Sequence, residues 1–99
     1  MRSRITHIDS GLIVPYEREM KKAMLTLTGV DHLFGTFLGE TDELMGWAGV
    51  KANSNKYILK TIYVRQEYRL RGVYRGLLEY LLSVFNDKTI EAVCTLFLA

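Results

Sequence analysis

The most constraining feature of this 99-residue chain is the passage from residue 57 to residue 85, where three patterns meet without a break. Tyr57-Ile58-Leu59-Lys60-Thr61-Ile62-Tyr63-Val64 is rich in β-branched and aromatic residues and reads as a strand. It feeds a loop that carries Arg65, Arg69, Arg71 and Arg75 around Gly72. Leu77, Leu78, Leu81, Leu82 and Phe85 then recur at steps of one, three and four, the apolar stripe of a helix from about Gly72 to Asn86. Ile90 to Leu98 reads as a buried strand. A strand, helix and strand in succession cross over with one hand, so Tyr57–Val64 and Ile90–Leu98 are expected to run parallel, the first of them in the centre of a sheet.

The upstream half supplies antiparallel partners. Ile5–Ile8 reads as a short strand. From Pro15, the apolar positions Tyr16, Met20, Ala23, Met24 and Leu27 recur at helical spacing, with Pro15 suited to a first turn and Gly29 to the exit. His32–Leu38 and Leu44–Lys51 read as strands joined through the polar stretch 39–43, and residues 52–55 as a turn. Trp47, Met20, Met24 and Met45 are candidate core residues, together with the stripe from Leu77 to Phe85. No repeat or linker-like stretch interrupts the sequence, so residues 1–99 read as one α/β domain with a mixed sheet.

Composition narrows the function classes. No run approaches the ~20 apolar residues of a membrane-spanning helix. Met1-Arg2-Ser3-Arg4 is followed by mixed polar sequence rather than a signal-like apolar run, which gives a cytoplasmic expectation. Cys94 is the single cysteine, so no internal disulfide and no thiolate-rich zinc site is expected, and no metal site is read. His7 and His32 fall in strand-like segments and read as structural or exposed residues, and Cys94 as inert packing. Glu40, Asp42 and Glu43 read as a polar hairpin. Between Lys60 and Arg75 the net charge is +4, against −2 for the rest of the chain. So short a basic segment points to a small or phosphorylated anion and argues against a nucleic-acid surface.

Gly72 at the start of a helix gives that anion a seat. The first amides of a helix have no carbonyl partner one turn back, and they carry the positive end of the helix dipole. Arg69, Arg71 and Arg75 add charged donors of the kind a diphosphate needs.

The segment Arg69-Leu70-Arg71-Gly72-Val73-Tyr74 resembles the pyrophosphate loop of the GNAT acyltransferase superfamily, which reads Arg or Gln, two residues, Gly, one residue, then Gly or Ala. Val64, Glu67 and Tyr68 are similar to the family's lead-in, with Gln66 where it has Pro, and Arg75-Gly76-Leu77-Leu78 to its continuation. Leu44-Met45-Gly46-Trp47-Ala48 is similar to its third strand. The resemblance implies a GNAT-like fold that binds acetyl-CoA or another acyl-CoA. It assigns Ile62, Tyr63 and Val64 to the pantetheine arm and the amides from Leu70 to Tyr74 to the diphosphate, with Arg65 and Arg75 toward the ribose phosphate. The implied activity is acyl transfer from coenzyme A to an amine.

Two departures stand out. Tyr74 occupies the Gly or Ala position, and the sequence stops after the strand that follows the loop, where the family continues through a helix and two strands. The Tyr acid that the family's later part often supplies, and the Glu base that histone-type relatives place early in the central strand, have no matching residue here, where Tyr57, Ile58 and Leu59 stand, although Tyr63, Tyr68 and Tyr80 are candidate acids. The alternative is therefore a non-catalytic acyl-CoA-binding or protein-interaction module. The apolar run Ala92–Ala99, if it ends the sheet, would leave an open edge, which gives an expectation of a homodimer.

Overall fold

In the computed structural model, residues 3–53, 56–85 and 89–92 are described. The chain forms β1 (Ser3–His7), a 3-10 segment (Ser10–Tyr16), α1 (Glu17–Lys22), β2 (His32–Leu38), β3 (Leu44–Asn53), β4 (Lys56–Val64), a short 3-10 turn (Gln66–Tyr68), α2 (Val73–Val84) and β5 (Thr89–Ala92). The sheet order is β1-β2-β3-β4-β5. All pairings are antiparallel except β4 with β5, which is parallel as the crossover rule requires. β3 lies in the middle of the five strands and β4 lies between β3 and β5, one place off the expected centre.

Each face of the sheet carries its own core. On one face α2 lays Val73, Leu77 and Leu81, with Phe85 just beyond its end, against Phe34, Met45, Ala48, Val50, Leu59, Ile62 and Val64. Steps of four residues keep this stripe on one side of α2. Leu82 falls off it and is exposed, so it is not a core residue. On the other face Ile13 from the 3-10 segment and Met20 from α1 cover Leu33, Phe37, Leu44, Trp47 and Tyr63. Burial of each such side chain contributes about 1.5–3 kcal/mol.

A one-residue irregularity explains how β4 serves both cores. Gly49 pairs with Thr61 and Val50 with Leu59, so Lys60 is the extra residue of a bulge. A bulge shifts the alternation by one. Leu59 before it and Ile62 and Val64 after it thus reach the α2 face, while Tyr63 turns to the α1 face.

The amphipathic pattern from Pro15 folds as less helix than its spacing predicts. Residues 10–16 are 3-10, and α1 closes at Lys22 instead of running toward Gly29. The stop is a Schellman motif, in which the amide of Met24 donates to Lys21 O and that of Leu25 to Met20 O. Met24 takes the left-handed position with φ 61°, normally held by Gly, and its side chain is 92% exposed rather than in the core. Met20 and Leu25 meet in the α1-side core, the apolar contact that accompanies this cap. His7 is exposed and His32 half-buried, each beside rings, with His7 4.3 Å from Phe34 and His32 5.9 Å from Phe85. Cys94 and most of the edge proposed for dimerisation lie outside the described residues. Among the described residues no helix is long and apolar enough to cross a membrane.

Candidate functional site

The site begins where β4 ends. Arg65 N donates to Met45 O at 2.9 Å. Bonded and non-bonded pairs alternate in an antiparallel ladder, so Val64, opposite Gly46, turns its amide and carbonyl away from β3 toward the β5 side. A Cβ on Gly46 would stand 2.6 Å from Tyr63 O, so only glycine lets β3 and β4 close at this level. The side chains of Ile62, Tyr63 and Val64 are all committed to the two cores. Any ligand along β4 must therefore be held by main-chain groups there.

The loop after β4 is shaped by two left-handed residues, Leu70 at φ 63° and Gly72 at φ 82°. Gly72 is the N-cap of α2, and the space where its Cβ would stand is open to 4 Å. Within α2 the first amide to meet a carbonyl one turn back is Gly76, which donates to Gly72 O at 2.9 Å. The amides ahead of it lie at the positive end of the helix. Leu70 is fully exposed beside this opening, Val73 is buried beneath it, and Tyr74 is exposed on the first turn.

The four loop arginines divide by what they touch. Arg65, expected near a ribose phosphate, is instead a buried clamp with 13% of its side chain exposed. It donates to Glu43 and Glu67 at 2.9 Å each and to Leu44 O at 2.8 Å, and it lies over the Tyr16 ring at 4.5 Å. Its charge is spent on fastening the β2–β3 turn to the end of β4. Arg69 donates through Nε to Val64 O at 2.8 Å and covers the Tyr63 ring at 5.3 Å. Arg75 pairs with Glu79 at 3.5 Å on the open surface of α2. Arg71 is exposed and has no hydrogen-bond or ion-pair partner among the described residues. It stands immediately before Gly72.

The three candidate tyrosines do not converge. Tyr63 OH donates to Glu19 Oε2 at 2.6 Å, and burial together with that bond pushes its pKa up to about 12. Tyr68 OH donates to Glu43 at 2.9 Å, a bond that raises the phenol and, with that from Arg65, holds the Glu43 carboxyl below its ordinary value. Tyr80 stacks edgewise on Phe34 at 5.6 Å on the opposite face from Tyr63. Nothing local in the sequence marks the Glu19–Tyr63 contact, which spans 44 residues. The sequence pattern puts Glu19 on the polar faces of this helix, whereas the structure half-buries it. Among the described residues no group of three His, Cys, Asp or Glu is placed to hold a metal ion.

The class of protein that this mixed sheet and glycine-opened helix start belong to comes from the family comparison. The family model described as acetyltransferase (GNAT) family matches residues 4–98. The chain belongs to the GNAT family. No curated protein matches it. Among solved structures, it is similar to the ribosomal-protein-S18-alanine N-acetyltransferase from Escherichia coli, with a TM-score of 0.66 at 15% identity over 87% of this chain and 61% of that one. It is similar to the ribosomal-protein-alanine N-acetyltransferase from Brucella melitensis biovar Abortus 2308, with a TM-score of 0.71 at 14% identity over 93% and 81% of the two chains. It also resembles AAC(6')-Iy in complex with the bisubstrate analog CoA-S-monomethyl-acetylneamine, at a TM-score of 0.63 and 14% identity over 96% and 81%. At these identities the likeness is one of fold. The chain spans about three-fifths of the length of the E. coli enzyme.

Proposed function

We propose that this protein binds acetyl-CoA or a related acyl-CoA and transfers the acyl group to an amine. The observation that carries the reading is the start of α2, where Gly72 opens the backbone at φ 82° next to Arg71, which has no partner among the described residues. A diphosphate fits that chemistry, because helix-start amides and an uncommitted guanidinium are donors without acceptors of their own. Leu70, Arg71, Gly72, Val73 and Tyr74 would hold it, with Arg69 and Arg75 at the margins. From there the pantetheine arm runs back along β4 past Val64 toward Ile62, paired with main chain. Strand amides also suit a developing thioester oxyanion, and holding the amine beside the thioester supplies the proximity such a transfer needs.

One observation favours a binding module without turnover, namely that the hydroxyls of Tyr63 and Tyr68 are both engaged by carboxylates. Calorimetric titration of acetyl-CoA into the wild type and Arg71→Glu, followed by thiol release with a set of primary amines, separates the two. The expected result is micromolar binding, weakened about tenfold or more by the charge reversal, with thiol release on adding an amine. Binding without release supports the module. No binding by the wild type removes both.

A further inference from the structure

Ile62, Tyr63 and Val64 bury their side chains, so a ligand lying along the end of β4 has only main-chain atoms to pair with, and at Val64 those atoms turn away from β3. Val64 O is nevertheless already taken. Arg69 Nε donates to it at 2.8 Å, and the guanidinium carbon stands 5.3 Å from the centre of the Tyr63 ring, close enough to the Tyr63 hydroxyl to oppose part of the rise in its pKa. The side chain thus folds around the outer edge of β4 at its last residue, from a carbonyl in the plane of the sheet to a ring on the α1 face. A carbonyl can accept two hydrogen bonds, but a second donor would have to reach Val64 O past the guanidinium.

The hold on Arg69 is of a kind that an anion breaks. Its acceptor is a neutral carbonyl, the residue is exposed, and among the described residues no carboxylate pairs with it. Arg65, four residues earlier, shows the contrast, pinned by Glu43 and Glu67 at 2.9 Å each. A guanidinium bonds an anionic oxygen about twice as strongly as a neutral one. The cradle at Gly72 is only three residues further along the chain. We infer that Arg69 is a displaceable plug on the path of the arm, which makes the site selective for ligands that carry a diphosphate. This rests on the acyl-CoA reading. Without a diphosphate, Arg69 stays on Val64 O and excludes the arm. With one, Arg69 moves to the phosphate oxygens, and Val64 O accepts an amide N–H of the pantetheine arm in its place. Phosphate recognition and arm binding are thereby coupled through one side chain.

The test compares two thioesters with the same arm in the full chain, acetyl-CoA and S-acetylpantetheine, which has no phosphate. Amide NMR titration of the wild type and Arg69→Ala gives both affinities. Arg69→Ala is expected to bind S-acetylpantetheine about threefold or more tighter than the wild type does. It should bind acetyl-CoA equally well or up to about tenfold more weakly, so that the preference for the diphosphate shrinks. In the wild type the Arg69 Nε–H resonance should shift on saturation with acetyl-CoA and stay in place with S-acetylpantetheine. An S-acetylpantetheine affinity that is unchanged or lower in Arg69→Ala overturns the plug, as does an acetyl-CoA affinity that rises with it, or an Nε–H signal that moves with both ligands or with neither. Absence of acetyl-CoA binding by the wild type removes the acyl-CoA reading itself.

Discussion

The two faces of the sheet differ in how their parts are gathered. Toward α2, residues 59–85 build most of the core and all of the cradle from one stretch of chain, and β2 and β3 add a backing. Toward α1, the core is assembled from Ile13, Met20, Leu33, Phe37, Leu44, Trp47 and Tyr63, scattered over fifty residues, and its polar centre joins Glu19 to Tyr63. The first face is a local supersecondary unit, while the second exists only when the sheet is complete.

That contrast can be broken first through the cores. Trp47 and Leu77 are both fully buried on opposite faces. Trp47→Ala should cost about 3–5 kcal/mol and Leu77→Ala about 2–5 kcal/mol in urea unfolding. A loss well under 1 kcal/mol for Trp47→Ala would mean that the α1 face is no core at all. Next comes the cradle, where Gly72→Val places a β-branched residue at φ 82°. It should cost about 1–2 kcal/mol of stability from backbone strain and weaken acetyl-CoA by about tenfold or more, leaving the Trp47 environment unchanged by fluorescence.

A smaller effect sharpens the α1 side. The Tyr63 phenol has an ordinary value of 10.0 and is pushed up to about 12 by burial and by Glu19. Between these values the unfolded chain has lost a proton that the folded chain keeps, so stability falls as pH rises from about 10 to about 12. Tyr63→Phe should flatten this part of the stability profile. Smallest is Met24→Gly, which relieves the left-handed strain at the end of α1 but frees the unfolded chain. Thermal melting should show a net gain below about 1 kcal/mol.

The same contrast governs what could be read without coordinates. β2 matches its reading end for end because an apolar run buried on both faces is bounded by polar stretches, and α2 comes within two residues because its four-residue spacing reports a single neighbour, the sheet. The loop opening at Gly72 was legible because glycine before an apolar helix has a local cause. The length of α1 was not, since Met24 terminates it through a conformation that sequence assigns to glycine, and Gly29 further on was the visible candidate. Arg65 looked like its neighbours in the arginine run. Its burial depends on Glu43, Leu44 and Tyr16, brought to it by two other segments. Glu19 was invisible for the same reason.

The central claim is that β4 and the start of α2 form one acyl-CoA site, and amide NMR during titration with acetyl-CoA tests it most directly. The account predicts the largest shifts at the amides of Val64, Gly72, Val73 and Tyr74, with smaller ones at Ile62 and Tyr63 and little change in β1. Shifts centred on the cleft lined by His7, Asp9, Asp31 and His32 at the other end of the strands, or no shifts at all at saturating ligand, would contradict it.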